Sequence, residues 1–179
     1  MKFLILFLPL IYLFFNSQTN ENIINISSYL IINTGHLLLI YLLVILIVPL
    51  TEQTGKLIDR RSLGITTFVY AVVHFLLYVF DYNIDLSIMI DDLKYREYIQ
   101  TGSIALLLFF PLVLTSNQIS KTLLQKKWIN LHKIIYAIIF LSLYHYYLII
   151  KADYLIFWIY ILLFTSVISL KYIKSVKNE

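Results

Sequence analysis

The sequence predicts an all-α integral membrane protein, a bundle of about six transmembrane helices. Three observations carry that expectation. Of the 179 residues, 60% are hydrophobic and only 13% are charged, a balance far outside that of soluble domains. The apolar residues gather into long runs separated by short polar connections. Three of the four histidines, His74, His132 and His145, lie inside or at the edge of those runs. An ionisable side chain in a membrane segment is costly and marks a functional site by default.

Six runs can be drawn, at 3–15, 37–50, 62–80, 102–116, 131–150 and 154–173. A span needs about 20 apolar residues, with about 17 near the lower limit. The third, fifth and sixth runs meet that length. The second reaches it if Asn33 to His36 continue the helix towards the surface; the fourth is short. The first, Lys2 followed by FLILFLPLIYLFF, also reads as a signal-peptide core, although no small-residue cleavage site follows. A retained short helix is the preferred reading. Spans and connections consume nearly all of residues 1–179, which are therefore expected to form one transmembrane domain.

Lysine and arginine placement sets the orientation. With a cytoplasmic N-terminus, that side holds Lys2, Lys56, Arg60, Arg61, Lys121, Lys126, Lys127, Lys133, Lys171, Lys174 and Lys177; the opposite side holds only Lys94, Arg96 and Lys151. Both termini are then cytoplasmic. The outer connections are polar or acidic, and Asp81, Asp85, Asp91 and Asp92 are expected to give the outer face a negative patch.

Function classes narrow by exclusion. There is no glycine-rich dinucleotide or phosphate-loop pattern, and no solvated basic face for nucleic acid. The chain has no cysteine, which removes disulfides, thiolate-ligated haem, iron–sulfur clusters and covalently attached haem. A haem held here would need histidine nitrogens. His74 lies roughly 18 Å from the cytoplasmic start of its run, and His145 roughly 21 Å from the start of its own. Two imidazoles at one height on neighbouring helices can clamp a planar haem, so His74 and His145 are the candidate axial pair. A lone histidine in a span is as often a hydrogen-bonding partner between helices. His132, beside Trp128 and Lys133, reads either as interfacial or as a ligand at a second site. His36, at the outer start of the second run, reads as interfacial.

Fourteen residues before His74 stands Arg60, a spacing that returns to nearly the same helix face. A second stacked haem would ask for a histidine there. Arg60 and Arg61 are instead poor iron ligands and good partners for carboxylates and phosphates. The cytoplasmic site is therefore one histidine beside an arginine pair, able to meet a haem propionate, a flavin phosphate or lipid headgroups. His132 and His145, thirteen residues apart, differ by about 140° around a straight helix, so a break near His132 is needed for both to face one channel.

Thr34–Gly35, Pro49–Leu50, RRSLG at Arg60–Gly64, VVHF around His74, YREYIQTG from Tyr95, LTSN from Leu114, Trp128–x–x–Leu131–His132 and His145–Tyr146 together resemble the MsrQ (YedZ) family, in the ferric-reductase-like transmembrane group. The resemblance runs from Thr34 to about Tyr172. It departs where the family has Arg-Pro-Tyr and this chain has Arg96-Glu97-Tyr98, and where the family's first helix starts further upstream. It implies a non-catalytic electron-transfer subunit of the bacterial inner membrane. Such a subunit holds a b-type haem that passes electrons from the quinol pool to a periplasmic molybdopterin methionine sulfoxide reductase, MsrP, and FMN is implied on the same ground alone. The competing readings are a self-sufficient ferric or superoxide-generating reductase and a haem-free transporter or scaffold. Tyr70, Tyr144, Tyr146 and Tyr147 are candidates for hydrogen bonds near the ligands, although interfacial belting accounts for most tyrosines in such a chain.

Overall fold

The computed structural model describes residues 2–50, 59–152 and 154–177. Among these the chain is helical, without strands. The helices are α1 (Lys2–Ile5), α2 (Leu8–Thr19), α3 (Ile26–Ile47), α4 (Arg60–Asp81), α5 (Leu86–Tyr95), α6 (Glu97–Leu114), α7 (Gln118–Leu124), α8 (Lys126–His132), α9 (Ile134–Ile149) and α10 (Leu155–Lys177). Five stretches are long and apolar enough to cross a membrane: Ile26–Leu50, Arg60–Asp81, Glu97–Leu114, Lys126–Ile149 and Leu155–Lys177. The protein is a multi-pass membrane protein.

The first run holds no single helix long enough to cross a membrane. Its main helix, α2, has 12 residues, about 18 Å of rise against a hydrocarbon core of about 30 Å. Pro9 sits in the first turn of α2, where a missing amide costs least, and the chain breaks at Leu6–Phe7 before it. In a bilayer those loosened backbone groups need partners. Two tyrosines supply them. The hydroxyls of Tyr41 and Tyr70 both donate to the Leu6 carbonyl, and the Leu10 amide donates to Tyr70 at 3.1 Å. Tyr70 is wholly buried, so its hydroxyl is committed here and not to His74.

The second crossing starts much earlier than its apolar run. Asn25 caps α3, its side chain accepting from the Ser28 amide at 2.9 Å, and the helix is under way eleven residues before position 37. Hydrophobic counting misses this because Ser27, Ser28, Asn33 and Thr34 dilute the first three turns; Asn33 and Thr34 answer their own polarity by donating to carbonyls one turn back. Asp59 caps α4 through Ser62 in the same way. The outer connection, drawn as a loop, contains α5, capped by Asp85. The fifth crossing is interrupted at Lys133 between α8 and α9, yet His132 and His145 do not come to face one channel.

Helix α3 packs most extensively on α4, and α9 on α6. α10 lies against α3 and α9. The core runs through Leu42, Leu46, Leu63, Ile138 and Phe164. Arg60, Arg61, Lys121, Lys133 and Lys171 gather around one cavity at one end of the bundle. Lys174 reaches the Leu50 carbonyl at that same end. Lys56, assigned to that end, lies outside the described residues.

Candidate functional site

Helices α3, α4, α6 and α9 enclose an apolar cavity into which three imidazoles look: His36, His74 and His145. The two predicted ligands face each other there. Their ring centroids are 6.3 Å apart and their planes stand at 84°. His145 Nδ1 lies 2.6 Å from the Tyr98 carbonyl. A carbonyl only accepts, so Nδ1 carries the proton and Nε2 keeps its lone pair. His74 Nδ1 lies 2.9 Å from the Thr34 hydroxyl, whose own proton goes to the Leu30 carbonyl at 2.7 Å. The hydroxyl therefore accepts from His74 Nδ1–H, and the second imidazole is left in the same tautomer as the first.

This arrangement fits haem. Metal–imidazole bonds are about 2 Å long, and two of them in line, with half a ring at each end, span roughly the separation seen here. Among the described residues no group of three or more His, Cys, Asp or Glu side chains could hold a bare metal ion. Haem iron asks for two axial donors only. Ligating histidines also characteristically spend their other nitrogen on a carbonyl or hydroxyl, as both do. Two glycines make room for the rings. A Cβ on Gly102 would stand 2.9 Å from both Cε1 and Nδ1 of His145, while one on Gly35 would meet His74 Cε1 at 3.4 Å.

His36 is not interfacial. With α3 starting at Ile26, His36 lies ten residues into the helix, about 15 Å down, lining the same cavity. Its Nδ1 is 3.1 Å from the Tyr160 hydroxyl, and its ring meets Tyr146 edge-on at 5.2 Å. Of the tyrosines proposed near the ligands, Tyr146 lines this cavity. Tyr144 and Tyr147 are 39% and 46% exposed and face outward.

His132 is in a different place. It lines the second cavity with Arg60, Arg61, Lys121, Trp128 and Lys133, and Phe109, which lines both cavities, stands between the two. Its Nδ1 lies 3.1 Å from the Trp128 carbonyl, and the two rings stack at 3.9 Å. The structure thus joins His132 to the arginine pair and separates it from His74 and His145.

The expected acidic patch also loses a member. Asp81, Asp85 and Asp91 are exposed, but Asp92 is buried, 4% exposed. One of its oxygens is 2.8 Å from Arg96 Nε, and the other accepts from Tyr78 at 3.0 Å.

Thr34, Tyr98, Gly35 and Gly102 escaped assignment from the sequence. The visible signal was a Thr–Gly pair inside each of two apolar runs or at its edge, Thr34–Gly35 and Thr101–Gly102; the third such pair, Thr54–Gly55, lies outside the described residues. A glycine inside an apolar helix usually marks a close approach, and here Gly35 and Gly102 each face an imidazole.

Residues 31–143 match the family described as ferric reductase like transmembrane component. The chain is similar to the protein-methionine-sulfoxide reductase heme-binding subunit MsrQ of Brucella ovis, Brucella canis and Brucella suis, each 40% identical over 114 residues. That stretch is 62% of this chain and 52% of each relative, so the chain spans about half the length of the curated relatives it matches. No solved structure matches. A match covering well over half the chain, which includes His74 and ends two residues before His145, means that the protein belongs to the ferric reductase like transmembrane component family.

Proposed function

We propose that this chain is the haem-binding membrane subunit of a protein-methionine-sulfoxide reductase system, with His74 and His145 as the axial ligands of a b-type haem. The observation that carries the reading is the facing imidazole pair at 6.3 Å, each with Nδ1 engaged by the protein. The likeness to the MsrQ subunits, heme-binding by name, supports it. Bound haem supplies one-electron carrier chemistry. The chain's own residues hold and orient it: Thr34 and the Tyr98 carbonyl fix the imidazole tautomers, Gly35 and Gly102 leave the rings their space, and the apolar walls exclude water.

The wider role follows from the resemblance. The chain takes electrons from the membrane quinol pool and delivers them to a periplasmic molybdopterin-dependent reductase of the MsrP type. That partner restores oxidised methionines in periplasmic proteins. Arg60, Arg61 and His132 form the cytoplasmic-side site, where an anionic group such as a haem propionate, the phosphate of FMN or a lipid headgroup meets the arginines, and where His132 can serve a second haem. The orientation rests on the lysine and arginine bias, with the His74–His145 site in the outer half of the inner membrane and both termini cytoplasmic.

The experiment is the spectrum and cofactor content of the purified protein. A Soret band whose α and β bands sharpen on dithionite, with haem and flavin measured per chain, is the expected result. A colourless protein contradicts the haem reading. Reduction of Fe³⁺ by quinol without any added partner contradicts the subunit role and makes the chain a reductase in its own right.

A further inference from the structure

We propose that Asp92 and Arg96 are positioning residues for the haem pair, a strut of buried carboxylate and exposed guanidinium that holds the Tyr98 carbonyl on His145. The inference rests on His74 and His145 being the haem ligands and adds two residues that touch neither ligand.

The observations start at a corner. Arg96 is the single extended residue between α5 and α6, ending one helix and preceding the other. It gives α6 no side-chain cap, so the first turn of α6 lacks the usual brace. Tyr98 lies in that turn, and its carbonyl is the acceptor of His145 Nδ1–H. The turn is braced from outside instead. The Arg96 guanidinium donates to the Tyr98 hydroxyl at 2.7 Å and to the Tyr82 hydroxyl at 3.3 Å, and its Nε pairs with Asp92 at 2.8 Å. Asp92 spends its second oxygen on Tyr78. Tyr78 stands four residues after His74 on α4, hence on the same face, and lines the cavity with Tyr98. One buried carboxylate thus ties the helix that carries His74 to the turn that orients His145. The Thr101 hydroxyl, 3.0 Å from the same Tyr98 carbonyl, shares the acceptor but lies on α6 itself and cannot fix the corner.

A ligand imidazole whose Nδ1–H is firmly bonded is a stronger donor to iron and favours the oxidised state. Loosening the Tyr98 carbonyl therefore raises the haem midpoint potential. This separates positioning from plain electrostatics. As bare charges, Asp92 and Arg96 act in opposite directions: losing the anion raises the potential and losing the cation lowers it. As two parts of one strut they act in the same direction.

The test is the midpoint potential of the purified haem-loaded protein in the wild type, Asp92→Asn, Arg96→Gln, Arg96→Lys and the Asp92→Asn/Arg96→Gln double variant, with the low-spin resonance spectrum of each. All variants are expected to shift upward. Arg96→Lys shifts with them because a lysine keeps the charge and loses the fork. The double variant shifts no further than the larger single, as members of one network do. Opposite shifts for Asp92→Asn and Arg96→Gln, or a wild-type potential in Arg96→Lys, overturn the strut. If Asp92→Asn fails to retain haem, Arg96→Lys alone decides by the same criterion. A wild-type protein without a low-spin haem spectrum overturns the ligand assignment itself, a result distinct from either.

Discussion

Each imidazole of the buried pair gives Nδ1 to the protein and keeps Nε2 for the cavity, and that division makes single residues around the pair testable. Gly102→Ala puts a Cβ 2.9 Å from a ring that cannot retreat without breaking its bond to Tyr98. The expected outcome is loss of the low-spin haem signal, with Gly64→Ala, where a Cβ meets nothing within 4 Å, leaving the spectrum unchanged. Thr34→Val removes the acceptor of His74 Nδ1–H; such outer partners are worth roughly 10- to 100-fold in affinity, measurable as faster haem transfer to apomyoglobin. That His74 and His145 come together was legible in the sequence, because depth along two apolar runs can be counted in residues. Their partners were not. Thr34 and the Tyr98 carbonyl lie 40 and 47 residues away in sequence, and only the packing of α3 on α4 and of α6 on α9 brings them together. His36 was misplaced because the polar first turns of α3 hid where that helix begins.

At the scale of the element, the five crossings were readable from apolar length, and the errors fall where polar residues are satisfied inside a helix or where backbone groups are satisfied by side chains. The stub α1–α2 is the clearest case. Its broken backbone is held by Tyr41 and Tyr70, so Tyr70→Phe leaves the Leu10 amide without its partner in an apolar setting. A destabilisation of about 1–3 kcal/mol is expected, read as a lower thermal midpoint in detergent, while Tyr144→Phe on the outward face leaves the midpoint unchanged. The α7–α8 junction turns at Gln125 with φ 46° and ψ −119°, a conformation suited to glycine. Gln125→Gly is expected to stabilise the fold by about 1–3 kcal/mol, seen as a raised midpoint. No sequence pattern announced that strain, since neither Gln125 nor its neighbours are turn-forming residues.

The whole molecule stacks two sites along one bundle, an apolar cavity with three imidazoles and a cationic one with His132 and the arginine pair, with Phe109 between. Arg60, Arg61, Lys121, Lys133 and Lys171 gather at one end, and Asp81, Asp85 and Asp91 lie exposed at the other. Reporter fusions at Lys56 and Asp91 are expected to give cytoplasmic and periplasmic signals respectively; a periplasmic signal at Lys56 would invert the proposed route of the electrons. The central claim is the His74–His145 haem, and its most direct test is the reduced-minus-oxidised spectrum, normalised to protein, of His74→Ala, His145→Ala and His132→Ala. The geometry predicts that each of the first two loses the low-spin b-type signal of the imidazole pair, and that His132→Ala keeps it. Loss of that signal in His132→Ala together with its survival in His145→Ala would contradict the pairing and move the haem to the cationic cavity.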